Sequence, residues 1–155
     1  MLKSIREDIV NKALHRFSVL YNDAEMEKVG ITTDGNIWKN TDTAVDGTVT
    51  TPNCTVGRIL RITSNRTPNS GDVTYLVSFD NGLTWYSYSS RWVLHESGYG
   101  MVEGVLAEIP ESAWADKIQE FGTIKVQATL QKDSTLTDIQ IFTYEKNVIK
   151  KEDAI

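Results

Sequence analysis

Val73-Thr74-Tyr75-Leu76-Val77-Ser78-Phe79 runs into Asp80-Asn81-Gly82-Leu83 and out again through Thr84-Trp85-Tyr86-Ser87-Tyr88, and this stretch decides the fold class. Its flanks are rich in β-branched and aromatic residues, the composition of extended chain, and Asn-Gly between two such runs is a strong hairpin signal. Gly82 carries no Cβ and takes a positive φ at no steric cost, and Asn81 tolerates one. The Asp80 carboxylate is placed to accept hydrogen bonds from turn N–H groups, with Ser78 and Thr84 hydroxyls beside it and Trp85 expected to pack back over the bend.

Outward from this hairpin the period stays at two. Arg58-Ile59-Leu60-Arg61-Ile62-Thr63, Arg91-Trp92-Val93-Leu94-His95, Thr123 to Leu130 and Thr137 to Tyr144 all read as strands. In Thr123 to Leu130, Ile124, Val126, Ala128 and Leu130 share one face while Lys125, Gln127 and Thr129 share the other. Such alternation predicts an antiparallel sheet with one wet face. Turn chemistry recurs at Pro68-Asn69-Ser70-Gly71-Asp72, Ser89-Ser90 and Lys132-Asp133-Ser134. From Gly30 to Asn53 the Thr, Asp, Asn and Gly content predicts loops and short edge strands, with Ile37-Trp38 the one large apolar pair. The expected fold is mainly β, an antiparallel β-sandwich over residues 30–145.

Two helices are expected. Leu2, Ile5, Ile9, Ala13, Phe17 and Leu20 recur every three or four positions, with charged residues mostly between them, which predicts an amphipathic N-terminal helix over residues 1–22. An isolated helix of that length is marginal in water, so its stripe must be covered, either by the host sheet or by another chain as a docking or oligomerisation helix. Pro110 then opens a short helix that places Trp114, Ile118 and Phe121 on one side and ends at Gly122, plugging one end of the sandwich. Residues 146–155 form a charged tail.

Composition excludes several classes. The 155 residues carry 16 Lys+Arg against 21 Asp+Glu, and this acidity argues against a nucleic-acid binder. No run exceeds three apolar residues, too few for a membrane span of about 20 or a signal-peptide core, so a soluble chain with no leader is expected. One cysteine, Cys54, cannot form an intrachain disulfide, and with two histidines a zinc cluster is not expected. Asp34, Asp42 and Asp46 have no EF-hand spacing, so no metal and no cofactor is assigned.

Ser78, Asp80, Gly82, Thr84 and Trp85 fill every fixed position of the pattern S-x-D-x-G-x-T-W, the Asp-box. The motif is shared with sialidases and other glycosidase propellers, where it is a structural turn remote from the catalytic pocket. A propeller needs several blades of about 40 residues, and this chain has one complete copy. Thr33-Asp34-Gly35-Asn36-Ile37-Trp38 echoes the pattern with different spacing and reads as a plain turn. The hairpin, the aromatic strand Arg91-Trp92-Val93, Gly100-Met101 and the closing strand pair from Thr123 to Tyr144 come in an order that resembles a module of bacteriophage tail and tail-fibre proteins. Asn81 stands where that module has glycine, and Ser134-Thr135-Leu136-Thr137 lacks its proline. The resemblance covers about Val73 to Tyr144. It implies a jelly-roll-like sandwich and a non-enzymatic virion structural role, in tail, baseplate or fibre, with no catalytic residues to transfer.

Such a protein is expected in multiple copies or as a homo-oligomer among other virion proteins, in a particle assembled in the host cytoplasm. The aromatics Tyr86, Tyr88, Trp92 and Tyr99 suit either interface packing or a flat platform for a cell-surface glycan. On strand alternation, Trp85 in the hairpin core would leave Tyr86 and Tyr88 exposed. A carbohydrate-binding adhesion module is therefore the alternative, with head decoration and a glycosidase behind it. His15 and His95 read as edge and surface residues, and Cys54 as a small buried one.

Overall fold

A computed structural model describes residues 16–42, 44–67, 71–119 and 121–144. Thirteen strands appear among them: β1 (Arg16–Leu20), β2 (Glu27–Val29), β3 (Thr32–Asp34), β4 (Ile37–Lys39), β5 (Gly47–Thr50), β6 (Cys54–Gly57), β7 (Ile59–Asn65), β8 (Val73–Ser78), β9 (Tyr86–Tyr88), β10 (Trp92–Leu94), β11 (Phe121–Leu130), β12 (Thr135–Leu136) and β13 (Asp138–Tyr144). Helices α1 (Glu103–Glu108) and α2 (Glu111–Lys117) separate β10 from β11. Every strand pairing is antiparallel. The protein is mainly β, and its sheets stack in a sandwich-like arrangement.

The large sheet runs β10-β9-β8-β11-β5-β2, a smaller one runs β1-β13-β7, and a third runs β12-β4-β3. β11 is the spine of the large sheet. Along one edge it pairs with β8; along the other it pairs with β6 through Phe121–Ile124 and then with β5 through Gln127–Leu130. β5 and β6 thus behave as one strand broken at Thr51-Pro52-Asn53. The break is bridged, because Thr51 N–H donates to the Val126 carbonyl at 2.9 Å and the Thr51 hydroxyl accepts from Val126 N–H at 2.9 Å. After Gly57 the chain passes Arg58, whose carbonyl accepts from Thr143 Oγ1, and enters the smaller sheet as β7.

The alternation in β11 places Ile124, Val126, Ala128 and Leu130 wholly inside. They meet Val73, Tyr75 and Val77 from β8 and Ile59, Ile62, Ile139 and Ile141 from the smaller sheet in a single apolar cluster. The two sheets are also joined by a polar contact, since the buried Tyr75 hydroxyl on β8 bonds Ser64 Oγ on β7 at 2.6 Å. α1 and α2 pack against β7, and Leu106 and Trp114 close that end of the core.

Several expectations are corrected. Arg16–Leu20 is a strand, so the N-terminal helix does not extend over Phe17 and Leu20. Five ladder pairs with β13, from Arg16↔Tyr144 to Leu20↔Gln140, outweigh a helical spacing in residues whose Phe17-Ser18-Val19 core suits a strand equally well. Leu20 is left 60% exposed on that strand. The Leu2, Ile5, Ile9 and Ala13 positions, and the tail, lie outside the described residues. The β-domain begins by Arg16, not at residue 30. β5 is an interior strand between β11 and β2 because small and β-branched residues, Gly47 to Thr50, fit a crowded position that bulky ones would not. The second helix ends at Lys117, and Gly122 lies within β11, where pairing with Val56 draws it into the ladder. β8 is buried on both faces, with no wet side.

Candidate functional site

The hairpin between β8 and β9 is closed by side chains. Asn81 and Gly82 both adopt positive φ, 60° and 89°. Asp80 Oδ1 accepts from Thr84 N–H at 2.9 Å and from Ser78 Oγ at 2.7 Å, while Oδ2 accepts from Thr84 Oγ1 at 2.6 Å. Ser78 Oγ in turn accepts from Gly82 N–H at 2.8 Å. The Thr84 hydroxyl, then its N–H, then Ser78 hold the Asp80 carboxyl down from 3.8 to about 2, so it is ionised at neutral pH. The Trp85 ring lies against Gly82, 3.6 Å from where a Cβ would stand. Both carboxylate oxygens are thus occupied in holding the bend.

Tyr86 and Tyr88 are half-buried and turn inward, opposite to the exposure expected of them with Trp85 in the hairpin core, and Trp92 is half-buried beside them. The alternation of the strand holds, but the two faces are exchanged: Trp85 covers the turn from outside while Tyr86 and Tyr88 join Trp92, Phe79 and Trp114. Rings meet edge-on or tilted, with Trp92 at 5.4 Å from Phe79, 5.2 Å from Tyr88 and 5.1 Å from Trp114. Trp92 Nε1 donates to the Ala113 carbonyl at 2.9 Å, which ties β10 to α2. The Lys117 ammonium stands 4.1 Å over the Tyr86 ring. Tyr99 stands apart, 57% exposed, its hydroxyl on Asp46 Oδ2 at 2.9 Å.

No protein-family model, curated protein or solved structure matches this chain.

The Gly100-Met101 pair has a plain structural reason. Met101 exchanges two backbone hydrogen bonds with Tyr75, at 2.7 and 3.0 Å, on the edge of β8 that β9 leaves open. A Cβ on Gly100 would lie 2.1 Å from the Tyr75 carbonyl oxygen, so only glycine fits.

A second polar constellation was not legible in advance. Asp23 Oδ1 accepts from Thr33 Oγ1 at 2.8 Å, from Trp38 Nε1 at 2.7 Å and from Lys28 Nζ. Lys28 first, then Trp38 and Thr33, hold this carboxyl near 2 as well. Asn22 and Glu25 form a reciprocal capping box around the short 3-10 turn Asp23–Glu25 and so present Asp23 to Trp38. The N-x-x-E spacing was the available signal. The Tyr21 hydroxyl meets the buried Cys54 thiol, and burial pushes both groups' pKa up. Beside them opens a cleft of about 400 Å³ that includes Leu20, Tyr21, Asp23, Asn36, Trp38 and Asp138. Another, of about 530 Å³, lies between Tyr88-Ser89-Ser90 and Val105 and Glu108 of α1. Among the described residues, His, Cys, Asp and Glu form no group of three or more suited to a metal ion. No helix among them is long and apolar enough to cross a membrane.

Proposed function

We propose that this chain is a non-enzymatic structural protein of a bacteriophage particle, tail, baseplate or fibre associated, and that it works through contacts between subunits. The observation that carries this reading is the occupation of the Asp-box by its own hairpin. Asp80 spends both oxygens on Ser78 and Thr84, an arrangement suited to a stiff corner and unsuited to proton transfer. The order of that hairpin, the Trp92 strand, Gly100-Met101 and the β11 and β13 strands supports the resemblance to phage tail modules. β10 ends the large sheet with Val93 and Leu94 exposed, and a short apolar edge suits burial against a neighbour.

Repeated copies would gain affinity from multivalency more than from any one contact. The test is to tag the chain in a producing phage, purify particles and locate the tag by electron microscopy, with sedimentation of the isolated chain alongside. Incorporation at a defined tail position is expected. Particles that assemble and infect without the chain, together with a monomer at all concentrations, would overturn the reading.

A further inference from the structure

We propose that the cleft between the 3-10 turn and the β3–β4 turn binds a neutral saccharide. Its volume of about 400 Å³ lies within the range of about 300–1,000 Å³ typical of small-ligand sites, toward the end that suits a mono- or disaccharide. The walls combine the two chemistries a pyranose presents. The exposed Leu20 and the half-buried Tyr21 supply apolar and aromatic surface for ring C–H faces, with Trp38 buried behind them, while Asp23, Asn36 and Asp138 supply acceptors and an amide for hydroxyls.

The polar groups are held in place before any ligand arrives. Asp23 Oδ1 is saturated by Lys28, Thr33 and Trp38, which fixes the carboxylate and leaves Oδ2 with no donor among the described residues. Asp138 is anchored by Asn65, whose N–H and Nδ2 both donate to Oδ1 at 3.1 Å, with Nδ2 also reaching Oδ2 at 3.2 Å. Tyr21 is half-buried and packed against the core, which holds its ring as a wall. Fixed acceptors lose little entropy on binding.

Charge narrows the class. With Lys28 paired to Asp23, the Asp138 carboxylate leaves the cleft with a net negative charge that disfavours an anion, and a purely apolar ligand would strip water from both carboxylates without compensation. Lys28 already neutralises Asp23, which weakens the pull on a cation. A neutral polyol gives hydroxyl donors to both carboxylates at no charge cost. The site is separate from the aromatic cluster around Trp92, and it stands or falls independently of the particle-assembly reading.

The test is a titration of isotope-labelled full chain with galactose, N-acetylglucosamine, lactose and maltose, followed by amide NMR shifts. Saturable shifts at Tyr21, Asp23, Asn36 and Asp138 are expected. Asn36→Trp, at an exposed turn position, fills the cleft and should weaken binding by about tenfold or more, while Ser89→Trp in the other cleft leaves it unchanged. Native-like spectra of both variants guard against misfolding. Lack of saturable shifts at millimolar sugar, shifts confined to Tyr88 and Ser89, or an undiminished response in Asn36→Trp would each overturn the proposal. Incorporation of Asn36→Trp into particles reports on the assembly role separately.

Discussion

Thr84 gives Asp80 both of its donors, the backbone N–H to Oδ1 and the hydroxyl to Oδ2, so one residue clamps the whole carboxylate across the bend. The clamp works only with the carboxylate ionised, because a protonated oxygen would compete as a donor. Asp80 and Asp23 both have folded pKa values near 2, below the ordinary 3.8. A depressed carboxyl contributes stability above its unfolded pKa and loses it as pH falls through the folded value. The melting temperature should therefore hold from neutral pH to about 4 and drop between about 4 and 2. Asp80→Asn should lower the melting temperature at neutral pH and flatten that acid slope. An unchanged acid profile in both Asp80→Asn and Asp23→Asn would contradict the assignment.

Thr84→Val keeps the shape of the side chain and removes the hydroxyl bond to Asp80 Oδ2. Hydrogen exchange at the Thr84 and Gly82 amides should quicken while amides of β11 keep their protection, because the change is confined to the turn. Equal acceleration throughout the sheet would show the hairpin to be coupled to global unfolding instead.

Tyr75→Phe removes the hydroxyl that bonds Ser64 between the two sheets. Ser64 Oγ still donates to the Asp138 carbonyl at 2.6 Å, so no buried donor is orphaned. A loss of about 1 kcal/mol in denaturant unfolding is expected, the ordinary scale for one buried hydrogen bond.

Gly100→Ala forces a methyl onto the Tyr75 carbonyl oxygen, backbone against backbone, where no side chain can move aside. A destabilisation of about 3 kcal/mol is expected, at the upper end for overpacking. Gly104→Ala, in α1 with nothing within 4 Å of the added methyl, should be stabilising or neutral in the same assay.

Trp114 is wholly buried against Phe79 and Trp92, and Trp114→Ala should cost about 3–5 kcal/mol by opening a large cavity. Tyr88→Ala should likewise show as lost stability. If Tyr88→Ala instead spared stability and abolished glycan binding, the inward-facing reading of β9 would fail.

Local chemistry was enough to establish much of this molecule. The Asn81-Gly82 bend, the carboxylate clamp at Asp80, the alternation of β11 and the strands β7, β8, β9, β10 and β13 follow from steric limits on φ, from donor and acceptor counts and from a side-chain period of two. None of these depends on distant residues. Where residues 16–20 lie depended on β13, more than a hundred positions away, because a three-to-four apolar spacing fits a helix and Phe17-Ser18-Val19 fits a strand. Which side of β9 faces inward was undecidable locally for the same kind of reason: alternation separates Trp85 from Tyr86, but only the arrival of Trp92 and Trp114 makes one side the interior. The Asp23 cleft also needed the fold, since Tyr21, Trp38 and Asp138 converge only when the three sheets close on one another. Burial and convergence are properties of the packed chain, and a linear pattern limits them without selecting among the arrangements it permits.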